Sequence, residues 1–289
     1  VKRNMLGPSE LILNSDGSVY HLNLLPEDIS TTIITVGDPH RVGEVSKHFD
    51  AIELVRENRE FVTHTGTYKG KRITVISTGI GTDNVDIVLN ELDALVNIDL
   101  NARMPKSELT SLDFVRIGTS GALQSDIPLG TWLLSSSAFG YDDLLHFYSE
   151  LNTSQEAAED LQKYIGRLPL PYRAAASTSL SEVFPETDYK RGHTLTMPGF
   201  YAPQGRALRI GNPTADIFHK FAEFELEDGS RLTNLEMETA GLYGLAELLG
   251  HRAVSISVLL ANRMNGEFHD DPKGAMENLI LHTLNCLVS

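Results

Sequence analysis

Short apolar, β-branched runs alternate along the chain with stretches of helical period. The runs at 32–36, 72–77, 114–117, 131–135, 194–197 and 253–259 predict strands. Over 84–100, Val85, Val88, Leu89, Leu92 and Leu95 recur at helical spacing. The strongest helical pattern covers 235–249, where Met237, Ala240, Gly241, Gly244, Leu245, Leu248 and Leu249 form one stripe and Gly250 supplies the stop. Residues 276–288 predict a closing amphipathic helix with Met276, Ile280, Leu284 and Leu287 inward. Strands interleaved with helices over the whole length indicate an α/β sandwich. No repeat or low-complexity linker divides it, so one domain over 1–289 is expected. The least patterned stretch, 150–171, is polar and then Pro-rich, and reads as an excursion from that domain.

Charge narrows the function. The 289 residues hold 24 Lys and Arg against 39 Asp and Glu, a net charge of −15. Such a field repels phosphate backbones and anionic lipid, so neither nucleic acid nor a membrane is expected as partner. An anion must then be bound locally, by arginines gathered at one place. The start, Val1-Lys2-Arg3-Asn4, leads into no apolar signal-like region. The strongest apolar run, 253–261, is broken by Ser255 and Ser257 and is too short to span a bilayer. The single cysteine, Cys286, permits no internal disulfide and no Cys-based zinc site; beside the stripe of the last helix it reads as a buried, inert thiol. A soluble cytoplasmic protein is the expectation.

Five segments carry candidate chemistry, and each alone has a plain structural explanation. Val36-Gly37-Asp38-Pro39-His40-Arg41 ends a strand; its glycine N–H can donate to an oxyanion, and Arg41 falls in the first turn beyond the Asp-Pro stop. Val115-Arg116-Ile117-Gly118-Thr119-Ser120-Gly121 puts an arginine inside an apolar strand, which is costly unless the charge is paired, and ends in hydroxyl and backbone donors. Strand C-termini are where open α/β sheets bind ligands. Thr78-Gly79-Ile80-Gly81-Thr82-Asp83 is a Gly-x-Gly turn, which serves tight packing as often as a ligand. Neither glycine segment is a phosphate loop of the GKS/GKT type or a GxGxxG turn.

Glu236-Met237-Glu238 opens the 235–249 helix. Its acids either complement the helix dipole or accept from vicinal ribose hydroxyls, with Met237 offering the sugar a polarisable surface. Gly199-Phe200-Tyr201-Ala202-Pro203-Gln204-Gly205-Arg206 combines an amide and a guanidinium that match the acceptor–donor–acceptor edge of a pyrimidine, with Phe200 available to stack.

Taken together and in this order, the motifs resemble the nucleoside phosphorylase family, which includes phosphorylases and nucleosidases, and within it the uridine phosphorylase branch. Gly-Asp-Pro-x-Arg, Arg-Ile-Gly-Thr-x-Gly and Glu-Met-Glu are family-wide; Phe-Tyr-x-x-Gln-x-Arg points to uracil. The resemblance runs from His21 to the C-terminal helix and fits worst over 150–179. It implies a single-domain, three-layer α/β/α sandwich around a mixed, strongly twisted sheet.

By the same resemblance, Gly37, Arg41, Arg116 and Thr119 are the phosphate site. Arg59 and His21 are similar to residues that neighbouring subunits lend to each other's phosphate and ribose. Glu236, Met237 and Glu238 match the ribose trio, Phe200, Gln204 and Arg206 the base pocket, and Arg263 a partner behind the base. Asn262-Arg263 stands where purine-specific relatives carry Ser-Asp; the missing Asp argues against purines. A potassium ion in bacterial relatives implies a position at Glu60, Ile80 and Asn84, although Thr82-Asp83-Asn84 departs from the usual Pro-Ser ending.

The implied reaction is reversible phosphorolysis of uridine, in pyrimidine salvage, with inorganic phosphate as co-substrate and no required cofactor. Arg116, Arg206, Gln204 and Glu238 carry the catalytic roles. A homodimer is the minimum unit, and a trimer of dimers is the bacterial precedent. The alternatives are a purine nucleoside phosphorylase or hydrolytic nucleosidase of the same fold, or a non-catalytic nucleoside-binding protein.

Overall fold

The computed structural model describes residues 5–149 and 151–289; Val1-Lys2-Arg3-Asn4 and Glu150, the first residue of the excursion, lie outside them. Eleven strands form one mixed sheet. They are β1 (Thr32–Val36), β2 (Ala51–Asn58), β3 (Phe61–Tyr68), β4 (Lys71–Ser77), β5 (Asp113–Ala122), β6 (Trp132–Gly140), β7 (Tyr172–Ala175), β8 (Lys190–Thr196), β9 (Leu232–Glu236), β10 (Arg252–Asn262) and β11 (Glu267–Phe268). From one edge, β2, β3, β4, β1 and β5 lie side by side, with β1 parallel to both β4 and β5. Beyond β5 the sheet closes on itself: β5 pairs with β9, β9 with β8, β8 with β6, β6 with β10, and β10 runs parallel to β5 again.

The wall of this ring explains why its strands were only partly legible. Residues on its strands include Ser135, Ser137, Thr194, Thr196, Asn234, Ser255 and Ser257, all buried and polar. Buried polar groups must be hydrogen-bonded: Ser135, Thr194 and Asn234 bond in a chain, while Ser137, Thr196 and Ser255 bond to His193, Glu236 and Thr239, so the strands read as broken apolar runs. The strand expected at 131–135 therefore extends to Gly140, and the one at 114–117 to Ala122. Edge strand β2 is exposed along most of its length and gave no apolar signal.

Helices cover the sheet in groups. α2 (Thr82–Asn97) and α6 (Thr239–Leu249) pack together over one core. α1 (Pro39–Ser46), the single turn α4 (Thr178–Ser181) and α7 (Pro272–Cys286) adjoin another. α3 (Glu156–Ile165) and α5 (Ala215–Glu223) close a third around Phe139, Leu195 and Phe218. The 150–171 segment is thus more than a loop, since α3 buries Ala158, Leu161 and Ile165.

The C-terminal helix buries Met276, Ile280, Leu284 and Leu287 as expected, and Gly250 caps α6 in the left-handed region. Cys286 is buried, and burial pushes its thiol up. One expectation is corrected. The helix read as starting at 235 starts at Thr239, because 232–236 is a strand whose Leu235 happens to fall in phase with the stripe.

Candidate active site

A cavity of about 840 Å³ opens at the C-terminal ends of β1, β4 and β9, beside the far half of β5. Thirteen of the residues singled out from sequence line it: Gly37, Arg41, Thr119 and Arg116; Glu236, Met237 and Glu238; Phe200, Gln204 and Arg206; and Glu60, Ile80 and Asn84.

Arg116 reaches the cavity by a local device. On a strand, residues 116 and 118 face the same way. A Cβ at residue 118 would sit 2.1 Å from Arg116 Nη1, so Gly118 clears the space in which the guanidinium folds along β5. There Nη2 donates to Glu238 Oε2 at 2.5 Å and lies 3.2 Å from Glu236 Oε2. Burial opposes the Arg116 charge, but the two carboxylates outweigh it and hold its pKa above the ordinary guanidinium value. Burial pushes Glu238 up against the pull of Arg116.

The two glutamates are not equivalent. Glu236, the last residue of β9, is surrounded by donors of the protein itself: Thr196 Oγ1 at 2.7 Å, the Glu238 N–H at 2.9 Å and the Thr239 N–H at 3.0 Å. It satisfies the first N–H groups of α6 and steadies Arg116. Glu238, the residue capping α6, accepts from the Gly81 N–H at 2.8 Å and from Arg116. The acids expected in the helix's first turn thus precede it, at a strand end and at the cap.

Arg41 contrasts with Arg116. It is half-buried in the cavity wall on α1, and burial and the nearby Arg116 charge together push its pKa down. No hydrogen bond or ion pair holds its side chain among the described residues. Two guanidiniums therefore face one space, and only Arg116 is ion-paired there, the Asp38 and Glu238 charges offsetting part of the cost at Arg41.

The base segment is a clamp. Gly205 sits at φ +76°, and a Cβ there would meet Phe218 at 3.0 Å, so the turn that aims Gln204 and Arg206 needs glycine. Arg206 Nη1 donates to the Phe200 carbonyl at 2.6 Å and to Gln204 Oε1 at 2.8 Å. Its guanidinium lies 3.7 Å from the Phe200 ring centroid, which leaves the opposite ring face for stacking. Arg263 lies outside the cavity lining, packs over Gly121, and donates to the Gln204 carbonyl at 3.3 Å. Asn262 is buried in its own turn, accepting from the Met264 and Asn265 N–H groups.

Two expected residues stand apart from this cavity. Arg59 is exposed at the β2–β3 turn, against Tyr20. His21 is held by Glu91, whose carboxylate accepts from the His21 and Leu22 N–H groups and lies 2.6 Å from His21 Nδ1. Asn58 Nδ2 donates to the His21 carbonyl, so the two residues share one patch of surface.

Gly118, Ser120 and Gly81 all fall in segments singled out from sequence, and Ser120 lines the cavity as one of the two hydroxyls after Arg116; what sequence reasoning missed is the clearing role of Gly118 and the Gly81 N–H that aims Glu238.

Residues 31–286 match the model of the phosphorylase superfamily, and the chain belongs to that family. It is accordingly an enzyme of the pentosyltransferase class. The uridine phosphorylase of Thermococcus kodakarensis is 32% identical over 88% of this chain and 80% of its own length. A DeoD-type purine nucleoside phosphorylase of Shewanella denitrificans is 26% identical over 93% of this chain and 98% of its own. The nucleoside phosphorylase of Trypanosoma brucei, a protein with uridine phosphorylase activity, superposes with a TM-score of 0.85 at 28% identity, covering 96% of this chain and 99% of that one. Among the described residues, no helix is long and apolar enough to cross a membrane.

Proposed function

We propose that the protein is a uridine phosphorylase, which converts uridine and phosphate reversibly to uracil and ribose 1-phosphate in pyrimidine salvage. The observation that carries this reading is Arg41: a half-buried guanidinium, unpaired among the described residues, beside Arg116 and across a cavity from Gln204 and Arg206. An unpaired cation in a wall is costly, and a phosphate anion relieves that cost. Water as the attacking group would leave it unrelieved, which disfavours a hydrolytic nucleosidase.

In this reading phosphate sits on the Gly37 N–H, Arg41, Arg116 and Thr119, aimed at C1′ of the sugar. Met237 supports the ribose face, and Glu238 accepts from a ribose hydroxyl. Glu236 contributes by fixing Arg116 and the start of α6. As the C1′–N1 bond breaks, the uracil gains negative charge. Donors aimed at its edge bind that state more tightly than the substrate. Arg206 supplies them, together with the amide N–H groups of Gln204, whose carbonyl oxygen already accepts from Arg206.

His21 and Arg59 belong to this reading as residues given to a neighbouring subunit, in a homodimer or a ring of three dimers. Potassium has no step in it. Asn84 turns an amide N–H toward the Ile80 carbonyl, at 3.4 Å, so a cation would require that amide to turn over before Glu60, Ile80 and Asn84 converged as oxygen donors.

The test is ultraviolet-monitored loss of uridine and of inosine, each with and without phosphate. Uridine loss that requires phosphate is expected. Loss without phosphate would make the protein a nucleosidase, and loss of inosine alone would overturn the base assignment.

A further inference from the structure

A separate cavity of about 360 Å³ lies behind the base clamp, and one turn divides it from the first. Gln204 lines the first cavity, while its neighbours Ala202, Pro203 and Gly205 line the other. Met197, Phe218 and Phe221 belong to its apolar wall. None of the described residues that line it carries a charge, in a chain where 22% of residues do. Phosphate, ribose 1-phosphate and other anions therefore find no counter-charge in it.

One donor in this wall is unused. Tyr141 lines the cavity and is 6% exposed, and its buried hydroxyl has no hydrogen-bond partner among the described residues. Burial holds its pKa well above the ordinary phenol value, so it keeps its proton at neutral pH. The other polar side chains of the wall are engaged. Asn212 Nδ2 donates to the Ala202 carbonyl at 3.0 Å, and Asn212 Oδ1 accepts from the Thr214 N–H at 3.0 Å and from Thr214 Oγ1 at 2.9 Å. A buried hydroxyl without an acceptor is costly, and an acceptor brought into the cavity relieves that cost.

We infer that this cavity is a second ligand site, for an uncharged, ring-sized, largely apolar molecule with one hydrogen-bond acceptor, and that its occupancy tightens the base clamp. The acceptor takes the Tyr141 hydroxyl, and the ring lies among Met197, Phe218 and Phe221. The coupling follows from the shared turn. Gly205 rests on Phe218, where a Cβ would come within 3.0 Å, and Asn212 ties down the Ala202 carbonyl from the cavity side. Both contacts that hold the turn are thus parts of the cavity wall. A ligand that needs this wall favours the arrangement that aims Gln204 and Arg206, and the base in turn favours the ligand. The site stands on its own geometry, whereas its effect on uridine rests on the uridine phosphorylase reading.

The experiment titrates the full chain with three probes, followed by saturation-transfer NMR of the probe. Acetophenone has one ring and one carbonyl, α-methylstyrene has the same shape without the oxygen, and benzoate is of similar size but charged. Acetophenone is expected to bind saturably and the other two about tenfold more weakly. Tyr141→Phe removes an oxygen that bonds to nothing in the protein. It should bring acetophenone to the level of α-methylstyrene and leave uridine turnover without additive unchanged. Saturating acetophenone should lower the KM for uridine about fivefold in the unaltered protein. It should leave the KM for phosphate as it is, and the same concentration should have no effect on Tyr141→Phe.

Acetophenone that does not bind, or binds no better than α-methylstyrene, would overturn the site. Equal binding to Tyr141→Phe would do the same, as would a raised KM for uridine in both proteins, which would put the probe in the first cavity. An unchanged KM for uridine with acetophenone bound would overturn the coupling. If the unaltered protein left uridine intact, the functional reading would fall, and the three-probe comparison would still decide the site.

Discussion

Gly118 has no side chain, yet it decides where the most deeply placed charge of the site can lie. The Arg-x-Gly spacing was visible in the sequence, but its reason was not, because the guanidinium folds back over the residue two positions on. Gly118→Ala puts a methyl group 2.1 Å from Arg116 Nη1, closer than any contact allows, and forces the arginine off both glutamates. Displacing a group that positions substrate by about 1 Å costs about a hundredfold in rate, and that loss is expected here. Near-native circular dichroism with the activity gone would separate this from unfolding; an active Gly118→Ala would mean that Arg116 is free to take another path. Residue identities were legible at this scale, whereas hydrogen-bond saturation was not. Glu236 and Glu238 look alike in the sequence, and only the fold shows that one is occupied by the start of α6.

Elements were legible where burial is apolar and obscured where it is polar. β1 and the stripes of α2 and α7 announced themselves; β9 did not, being a strand whose Asn234 belongs to a buried hydrogen-bonded set. β8 shows what such a strand costs. Its His193 lies between two irregularities of register, with Nδ1 2.8 Å from Ser137 Oγ and Nε2 2.9 Å from Ser230 Oγ. Burial and the nearby Arg173 charge hold its pKa below the ordinary 6.5, against a weaker pull from Asp228.

That depression fixes the sign of the stability effect. Below pH 6.5 the unfolded chain takes up a proton at this residue while the folded one does not, so the unfolded state binds more protons and stability falls with acidification. The loss grows from 6.5 down to the depressed value and then levels off. In thermal melts between about pH 7 and 5, His193→Gln should flatten this fall, and an unchanged pH slope would show that His193 is not its source.

At the scale of the molecule, a net charge of −15 coexists with a cavity that gathers Arg41, Arg116 and Arg206, so positive charge is concentrated locally against the overall field. The sequence indicated that concentration, because the arginines sit in motifs at strand ends. The place of His21 and Arg59 needed the fold: both lie on the surface beside Tyr20, outside the cavity of their own chain. If each serves a neighbour, a site is assembled from two subunits, and defects in its two halves must complement.

Arg59→Ala and Arg41→Ala should each be inactive as homodimers, for every site then lacks one of the proposed phosphate ligands. In a hybrid dimer, the site on the Arg59→Ala subunit has its own Arg41 and receives Arg59 from its partner, whereas the other site lacks both. Random pairing makes half of the dimers hybrids with one complete site in two, so co-refolding equal amounts of the two variants should restore about a quarter of the unaltered activity. Activity that stays at the level of the single variants after exchange, verified by mass spectrometry of the mixed dimers, would show that each subunit completes its own site. Arg59 would then be a surface cation held by Tyr20 and nothing more.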